Sequence, residues 1–303
     1  MPSYRLTLEY EGTRYRGWQE QQNARSVAGE LRRAIIAQGT ARGTAKSAAQ
    51  NTAQGEIEIK DLGGAGRTDA GVHALAQTAH LRLARAIDPE PFRQAVNEAL
   101  PPDIHLLSVL PVAADFHARH SAAARSYLYQ ISRRRTAFAK RFVWWVKSPL
   151  DLARMEASAA RLAGRHDFRL FCERPAEQTS TLVVVDRVEI AADGALILVR
   201  LVASHFLWKM VRRLVGTLVE VGSGRLSDAA FAALLERPYA VNTVNASNTA
   251  KTANKAGRVH QKGQPAEWTA PPSGLFLERV LYPGDPPLGR IAPAVPVSEE
   301  TPG

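Results

Sequence analysis

The sequence predicts an α+β fold, in which helices cover one side of a β-sheet. Segments that alternate polar and apolar side chains, as half-buried strands do, recur along the chain between segments with helical periodicity. Both halves of the chain show this strand–helix–strand succession. A length of 303 residues corresponds to two domains, or to one large sheet built in two halves.

In the first half, the pattern predicts strands over residues 5–11, 57–59 and 79–83, one helix after Ser26, and another over residues 91–100. Ser26 is a suitable N-cap because its hydroxyl can accept a hydrogen bond from the first helical turn. The apolar side chains Val27, Leu31, Ala34 and Ile35 then follow at helical spacing. Pro91 suits the first turn of the next helix, and the prolines at 101 and 102 end it.

In the second half, strands are predicted over residues 127–131, 182–190, 195–202 and 274–282, and helices over residues 152–162 and 206–221. The sequence Ala192-Asp193-Gly194 predicts a tight hairpin turn between the second and third of these strands. The helix over residues 206–221 has the clearest periodicity, and Arg212 lies off its apolar face.

Three segments have compositions that do not favour packing. Residues 39–55 and 241–264 are low in large apolar side chains, and we expect both to be flexible surface insertions. The segment 283–303 contains six prolines and is expected to be a disordered tail. The expected organisation is an N-terminal half over residues 1–115, a C-terminal half over residues 116–282, and this tail.

Composition narrows the class of protein. Lys and Arg number 39 and Asp and Glu 29, so the formal net charge is +10. Such a charge favours a polyanionic partner, although a basic surface can also serve solubility alone. One cysteine excludes an intramolecular disulfide and a multi-cysteine zinc site. The longest apolar run is residues 229–235, which is too short to span a membrane, so we expect a cytoplasmic protein.

The glycine-rich stretch Gly63-Gly64-Ala65-Gly66-Arg67-Thr68-Asp69-Ala70-Gly71-Val72-His73 is the strongest candidate for a functional loop. It lacks the Gly-Lys-Ser/Thr ending of a phosphate-binding loop, and it fits the dinucleotide-binding pattern only loosely. A turn without any function is the alternative. A cation such as Arg67 close to Asp69 would keep that carboxylate ionised and able to act as a nucleophile.

Residues 66–74, Gly-Arg-Thr-Asp-Ala-Gly-Val-His-Ala, closely resemble the active-site motif of the tRNA pseudouridine synthase A family. Other segments agree with that family in order, and the resemblance runs from about residue 4 to residue 282. The agreeing segments are residues 10–21, 102–104 with 115–119 and 125–129, 164–168 with Phe171, and 206–218. Trp208 and Lys209 depart from the family's more usual pair of residues at those positions.

The resemblance implies the pseudouridine synthase fold, with two similar halves forming a mixed, largely antiparallel sheet around a central basic cleft. It implies isomerisation of uridine to pseudouridine on the 3′ side of the anticodon loop of tRNA, at tRNA positions 38–40. It further implies a homodimer that needs no metal and no cofactor. The histidines His73, His117 and His120 have no Cys or carboxylate at ligand spacing, so we expect no metal site.

By the same resemblance, Asp69 is the catalytic carboxylate. It could attack C6 of the base or C1′ of the ribose, or assist elimination, and the residues leave these routes open. Arg212 is expected to lower the pKa of Asp69 and to fix its rotamer. Tyr127 is expected to stack under the uracil, and Arg67 to fill the gap left by the extruded base. The residues expected to contact the RNA are Tyr127, Arg14, Arg16, His73 and Arg119.

Three other functions are compatible with these residues. The chain could be a non-catalytic tRNA-binding or tRNA-folding protein that uses the same cleft. It could be a synthase of this family that acts on other uridines. The glycine-rich loop could also belong to a nucleotide-dependent enzyme, which predicts nucleotide binding.

Overall fold

The computed structural model describes residues 1–41, 57–236 and 264–299, which form one ten-stranded sheet and five α-helices. The predicted α+β class is therefore confirmed. The strands are β1 Ser3–Tyr10, β2 Ile59–Gly64, β3 His73–Leu83, β4 Ile104–Val112, β5 Ala124–Ser132, β6 Trp144–Trp145, β7 Gly164–Asp167, β8 Leu182–Asp193, β9 Leu196–Ala203 and β10 Leu275–Leu281. The helices are α1 Val27–Ala41, α2 Pro89–Ala99, α3 Leu152–Ala160, α4 Met210–Gly222 and α5 Asp228–Glu236.

The sheet is mostly antiparallel, and its strand order is β4-β1-β3-β10-β5-β9-β8-β7, with β2 paired to β3 and β6 to β5. The last strand of the chain, β10, lies in the middle of the sheet. It pairs in parallel with β3 through Phe276 opposite His73 and Leu277 opposite Ala74. Its other edge pairs antiparallel with β5. The division of the chain at residue 115 stays a prediction.

Strand alternation assigns the two faces of the sheet. On β5, Tyr127, Tyr129 and Ile131 belong to the core that includes buried residues from all five helices. The intervening Leu128 belongs to a second cluster, on the opposite face, which contains no helical residue. The helices therefore cover one face, as predicted. We call the other face the back face.

Residues 283–299, expected to be disordered, pack on the back face instead. Buried Gln130 accepts hydrogen bonds from the backbone N–H groups of Ala294 and Val295, at 2.6 and 3.2 Å. The backbone N–H of Ala195 donates to the carbonyl of Val297, at 3.0 Å. Proline-rich composition excludes helix and continuous strand, but an irregular segment is ordered when buried side chains satisfy its backbone.

Arg200 ties this segment to the sheet. Its buried guanidinium makes two hydrogen bonds to Glu278 on β10, at 2.8 and 2.6 Å, and one to Glu189 on β8, at 3.2 Å. It also donates to the carbonyls of Gly289 and Arg290, at 2.9 and 3.4 Å. One side chain therefore joins β8, β9, β10 and the C-terminal segment.

Other differences from the predicted elements have local causes. Helix α4 begins at Met210 and not at residue 206, because Lys209 has a φ of 61° and breaks the helical path. The pattern does not predict β4, because Leu107 is an extra residue between Leu106, which pairs with Leu8, and Ser108, which pairs with Thr7, and it breaks the alternation of the strand. Of the first expected insertion, residues 39–41 end α1 and 42–55 lie outside the described residues; of the second, only residue 264 is described.

A search of the described parts of the chain finds no helix long and apolar enough to cross a membrane. Those same parts hold no group of three or more His, Cys, Asp or Glu side chains that could bind a metal ion.

Replacing Arg200 by Met should lower the free energy of unfolding by about 3–5 kcal/mol, because the change leaves Glu278 poorly solvated and without its partner. Arg187→Met is a matched control, since Arg187 shares Glu189 but is half exposed. Arg187→Met should lower the free energy of unfolding by less than about 1 kcal/mol. Urea denaturation followed by circular dichroism measures both. Equal losses in the two variants would contradict a special role for Arg200.

Candidate active site

The loop between β2 and β3, residues 65–72, carries Asp69 and is fixed from both sides. The N–H of Ala65 donates to Thr78, and the N–H of Trp18 donates to Thr68, at 2.8 and 3.1 Å. The hydroxyls of Tyr10 and Thr68 share a buried hydrogen bond of 2.8 Å. Because the backbone on both sides of Asp69 is bound to neighbouring elements, the carboxylate is presented in a defined position.

Two glycines in the segment that follows β1 allow the 65–72 loop to pack closely against that segment. A Cβ on Gly12 would lie 1.9 Å from the carbonyl oxygen of Val72, and a Cβ on Gly17 would lie 2.3 Å from that of Thr68. Gly17 also has a φ of +93°, which L side chains rarely adopt. A side chain at either glycine would push the Asp69 loop away from the segment that follows β1.

Asp69 lies in a cleft of about 890 Å³ between the 65–72 loop and the start of α4. This volume is toward the upper end of the roughly 300–1,000 Å³ of ligand pockets, so an extruded nucleotide can be enclosed there. Six Arg or Lys side chains line the cleft against two carboxylates, so its lining favours a polyanion. The charged lining residues are Arg16, Arg67, Arg119, Arg125, Lys209 and Arg212, with Asp69 and Glu177.

Arg212 is the basic neighbour of Asp69 that the helical spacing and the family resemblance predict. Its Nη1 lies 3.8 Å from Oδ2 of Asp69, and its Nε donates to the carbonyl of Ala270 at 2.6 Å. Gly216 lets the 268–270 segment pack against α4, since a Cβ there would lie 1.5 Å from the carbonyl oxygen of Trp268. The guanidinium is thus held by the backbone and directed at the carboxylate.

The pKa of Asp69 is raised overall, although Arg212 lowers it as expected. Burial is the largest influence and raises the pKa; Lys209 and the indole of Trp208 lower it together with Arg212, and Glu173 raises it further. The net direction has a simple cause. At 3.8 Å the arginine compensates only part of the desolvation of a carboxylate whose side chain is 26% exposed.

Tyr127 lines the cleft and is only 8% exposed. The edge of Phe206 meets its ring at a centroid distance of 5.0 Å, so the ring is held in place. Burial raises the pKa of Tyr127, so the phenol stays neutral at physiological pH. A neutral phenol favours the stacking role over that of a base.

Arg16 and Arg119, which are expected to contact the RNA, and Arg67, which is expected to fill the gap left by the extruded base, are exposed and line the cleft. These roles stay predictions. Arg14 is exposed but is not among the lining residues.

His73 does not reach the cleft, which corrects its expected contact with the RNA. Its buried ring lies on the back face and stacks on Phe276 at 4.9 Å. Nδ1 accepts from the N–H of Gly12 at 3.0 Å, and Nε2 lies 2.9 Å from the carbonyl oxygen of Arg141. Both ring nitrogens therefore serve the scaffold. The motif that contains His73 does not reveal on which face of β3 it lies.

Sequence reasoning gave Arg125 no role, yet it joins the two sides of the cleft. Its guanidinium donates to the carbonyls of Ala65, Arg119 and Ser204, at 3.1, 2.6 and 2.7 Å. The segment 125–129 was noted for its resemblance, but the function of Arg125 depends on three elements that are distant in sequence. No local pattern indicates it.

Comparison with known proteins agrees with this geometry. The sequence model of the tRNA pseudouridine synthase family matches residues 7–121 and 158–283. The tRNA pseudouridine synthase A of Rhizobium meliloti strain 1021 is 37% identical, over 93% of this chain and all of its own. That of Agrobacterium fabrum is 35% identical over 99% of each chain, and that of Maricaulis maris is 36% identical over 94% of this chain and 99% of its own.

The matched regions include the Asp69 loop and the whole of α4, while Arg125 and Tyr127 lie between them. They also cover both sides of the central β3–β10 pairing. The three relatives match at least 93% of this chain. This chain therefore belongs to the tRNA pseudouridine synthase family.

Proposed function

We propose that this chain isomerises uridine to pseudouridine in the anticodon stem-loop of tRNA. The reaction breaks the N1–C1′ glycosidic bond, turns the uracil and rejoins it through C5. The observation that carries the proposal is the 3.8 Å approach of Arg212 to Asp69 inside a basic cleft. A buried carboxylate with a fixed cationic neighbour suits covalent catalysis or assisted elimination on a nucleotide.

Recognition begins with the phosphates. Arg16, Arg67 and Arg119 are exposed along the cleft, and contacts of this kind orient RNA without reading its sequence. The target uridine lies in a stem or loop and must be extruded to reach the carboxylate. Arg67, two residues from Asp69, takes the place that the base leaves. Tyr127 then supports the uracil from below while it is detached.

An enclosed site is the second requirement. Enclosure excludes water from the reaction, and it keeps the detached uracil from escaping. Tyr127 and Phe206 give the deep end of the cleft an apolar wall, and the half-buried Asp69 lies beside it. Desolvation strengthens the electrostatic interactions between the charged groups that remain in the cleft. Arg212 and Lys209 favour the ionised form of Asp69.

The proposal includes a homodimer in the cytoplasm, where the tRNA substrate is available. Support for the homodimer comes from the family resemblance.

Asp69→Asn should abolish pseudouridine formation, by more than about 10³-fold, while it leaves tRNA affinity within a few-fold of wild type. The assay is incubation with unmodified tRNA transcripts, followed by carbodiimide mapping of the anticodon arm. A wild-type rate for the Asn variant would refute the role of Asp69. If the wild type modifies no uridine but still binds tRNA, the chain is a binding protein.

The same variant should unfold at a temperature equal to or above that of the wild type at neutral pH. A raised pKa means that folding disfavours the ionised Asp69, so its contribution to stability is lost as the pH rises through the folded-state pKa. The difference in melting temperature should shrink on acidification. Differential scanning calorimetry across a pH series measures it, and a large loss of stability at neutral pH would contradict the pKa direction.

Arg212→Gln should move the acidic limb of the kcat/KM profile to higher pH. Arg212 lowers the pKa of Asp69, and without it a smaller fraction of the carboxylate is ionised at a given pH. Arg154→Gln is a suitable control, because Arg154 is 63% exposed and is not among the residues that line the cleft. An unchanged limb in the Arg212 variant would show that another group controls the profile.

Tyr127→Leu should reduce kcat by about ten- to a hundredfold, the range expected for loss of one base–aromatic stack, and should affect tRNA binding far less. Tyr127→Phe keeps the ring and should keep most of the turnover. Single-turnover kinetics and filter binding separate the two effects. If the Phe variant is as slow as the Leu variant, the hydroxyl itself takes part in the reaction.

A further inference from the structure

Trp208 is a large aromatic side chain that the proposed mechanism does not use. It lines the cleft and is 39% exposed, in contrast to the nearly buried Tyr127. Asp69 lines the same cleft, so the indole and the carboxylate face a common space. The cleft therefore has two aromatic levels, a deep one at Tyr127 and an outer one at Trp208.

Two cations flank the outer ring. The guanidinium carbon of Arg174 lies 5.3 Å from the ring centroid of Trp208, and Nζ of Lys209 lies 5.6 Å from it. Both distances are within the range of cation–π attraction. An exposed aromatic ring can stack on a nucleotide base, and a cation beside the ring can pair with the phosphate of that nucleotide.

The backbone around the ring is strained in a way that indicates function. Arg174 and Lys209, with φ of 50° and 61°, are the two non-glycine residues of positive φ in the described residues. Such conformations cost roughly 1–3 kcal/mol each and concentrate at ligand-binding sites. The N–H of Glu173 donates to the carbonyl of Trp208 at 2.9 Å, and its carboxylate lies 3.6 Å from Nζ of Lys209. These contacts hold both strained residues beside the ring.

The ring can be freed for a ligand. Arg174 also pairs with Glu177 at 3.3 Å, but both side chains are more than half exposed. An exposed ion pair contributes little to stability, so Arg174 can turn toward a phosphate at small cost. A base can then occupy the face that Arg174 leaves.

We propose that Trp208 is a stacking platform for a nucleotide next to the target uridine, and that Arg174 and Lys209 contact the phosphate of that nucleotide. The inference rests on the proposed function, which supplies RNA as the ligand. The target uracil itself is assigned to the deeper Tyr127, so the outer ring is left for a neighbour. Stacking of this kind accepts any base, and it positions the strand without reading its sequence.

The test is the dissociation constant of a synthetic anticodon stem-loop RNA, measured by fluorescence anisotropy. Trp208→Leu should raise it by about ten- to a hundredfold, since a base–aromatic stack is worth about 1–3 kcal/mol. Trp208→Phe keeps an aromatic face and should stay within a few-fold of wild type. KM should follow the dissociation constant.

Trp145→Leu is the matched control. Trp145 is 38% exposed and is also flanked by two cations, Arg135 at 5.9 Å and Lys147 at 5.4 Å, but it is not among the residues that line the cleft. This variant should bind the RNA as the wild type does. If Trp208→Leu binds equally well, or if both Leu variants weaken binding to the same extent, the platform is refuted.

A double-mutant cycle identifies the stacked base. RNAs with an abasic site on the 5′ or the 3′ side of the target are tested against wild type and Trp208→Leu. At one of the two positions, loss of the base should weaken wild-type binding but not binding by the variant. Additive losses at both positions would overturn the proposal.

These measurements separate this inference from the proposed isomerase activity, because binding requires no turnover. If Trp208→Leu loses affinity while the wild type forms no pseudouridine, the platform stands and the activity fails. If Trp208→Leu binds and isomerises as the wild type does, the platform fails and the activity stands.

Discussion

The parallel pairing of β10 with β3 is the constraint on which the site depends. The pairing consists of Phe276 opposite His73 and Leu277 opposite Ala74, and it follows directly after the loop that carries Asp69. On its other edge, β10 positions β5 and therefore Tyr127. The 65–72 loop and Tyr127 come from distant parts of the sequence, and this one strand sets their separation. The buried cluster of Arg200 and Glu278 fixes β10 against the strands beyond.

The pKa of Asp69 is set by two opposing influences, burial and the charged groups around it. Desolvation raises the pKa of Asp69, and this opposes the ionised state that a nucleophile requires. Arg212, Lys209 and the indole of Trp208 offset part of that effect. A buried, slightly destabilised carboxylate is a common property of enzyme sites, where reactivity and stability conflict. The contacts of the 65–72 loop hold the carboxylate in place despite this cost, and Gly12 and Gly17 allow those contacts.

Local patterns predicted much of this molecule. Ser26 accepts from the N–H of Gly29 at 3.3 Å as the first turn of α1 begins, and the hairpin at Gly194 joins β8 to β9. The family resemblance, together with the spacing on α4, predicted that Asp69 and Arg212 are neighbours. What could not be predicted depends on tertiary environment. The pKa of Asp69 results from burial weighed against charge, and the order of residues 283–299 results from hydrogen bonds to Gln130, far away in sequence.

The central position of β10 has a bearing on how the protein is made. Residues 275–281 are synthesised after the other described strands, and until they emerge from the ribosome the sheet lacks the strand between β3 and β5. A nascent chain can form β1 with β3, and β8 with β9, but cannot bring Asp69 and Tyr127 to their final separation. The 65–72 loop therefore reaches its final place only after β10 has been translated, and a chain released before that point would carry every residue of the loop in a form unable to act.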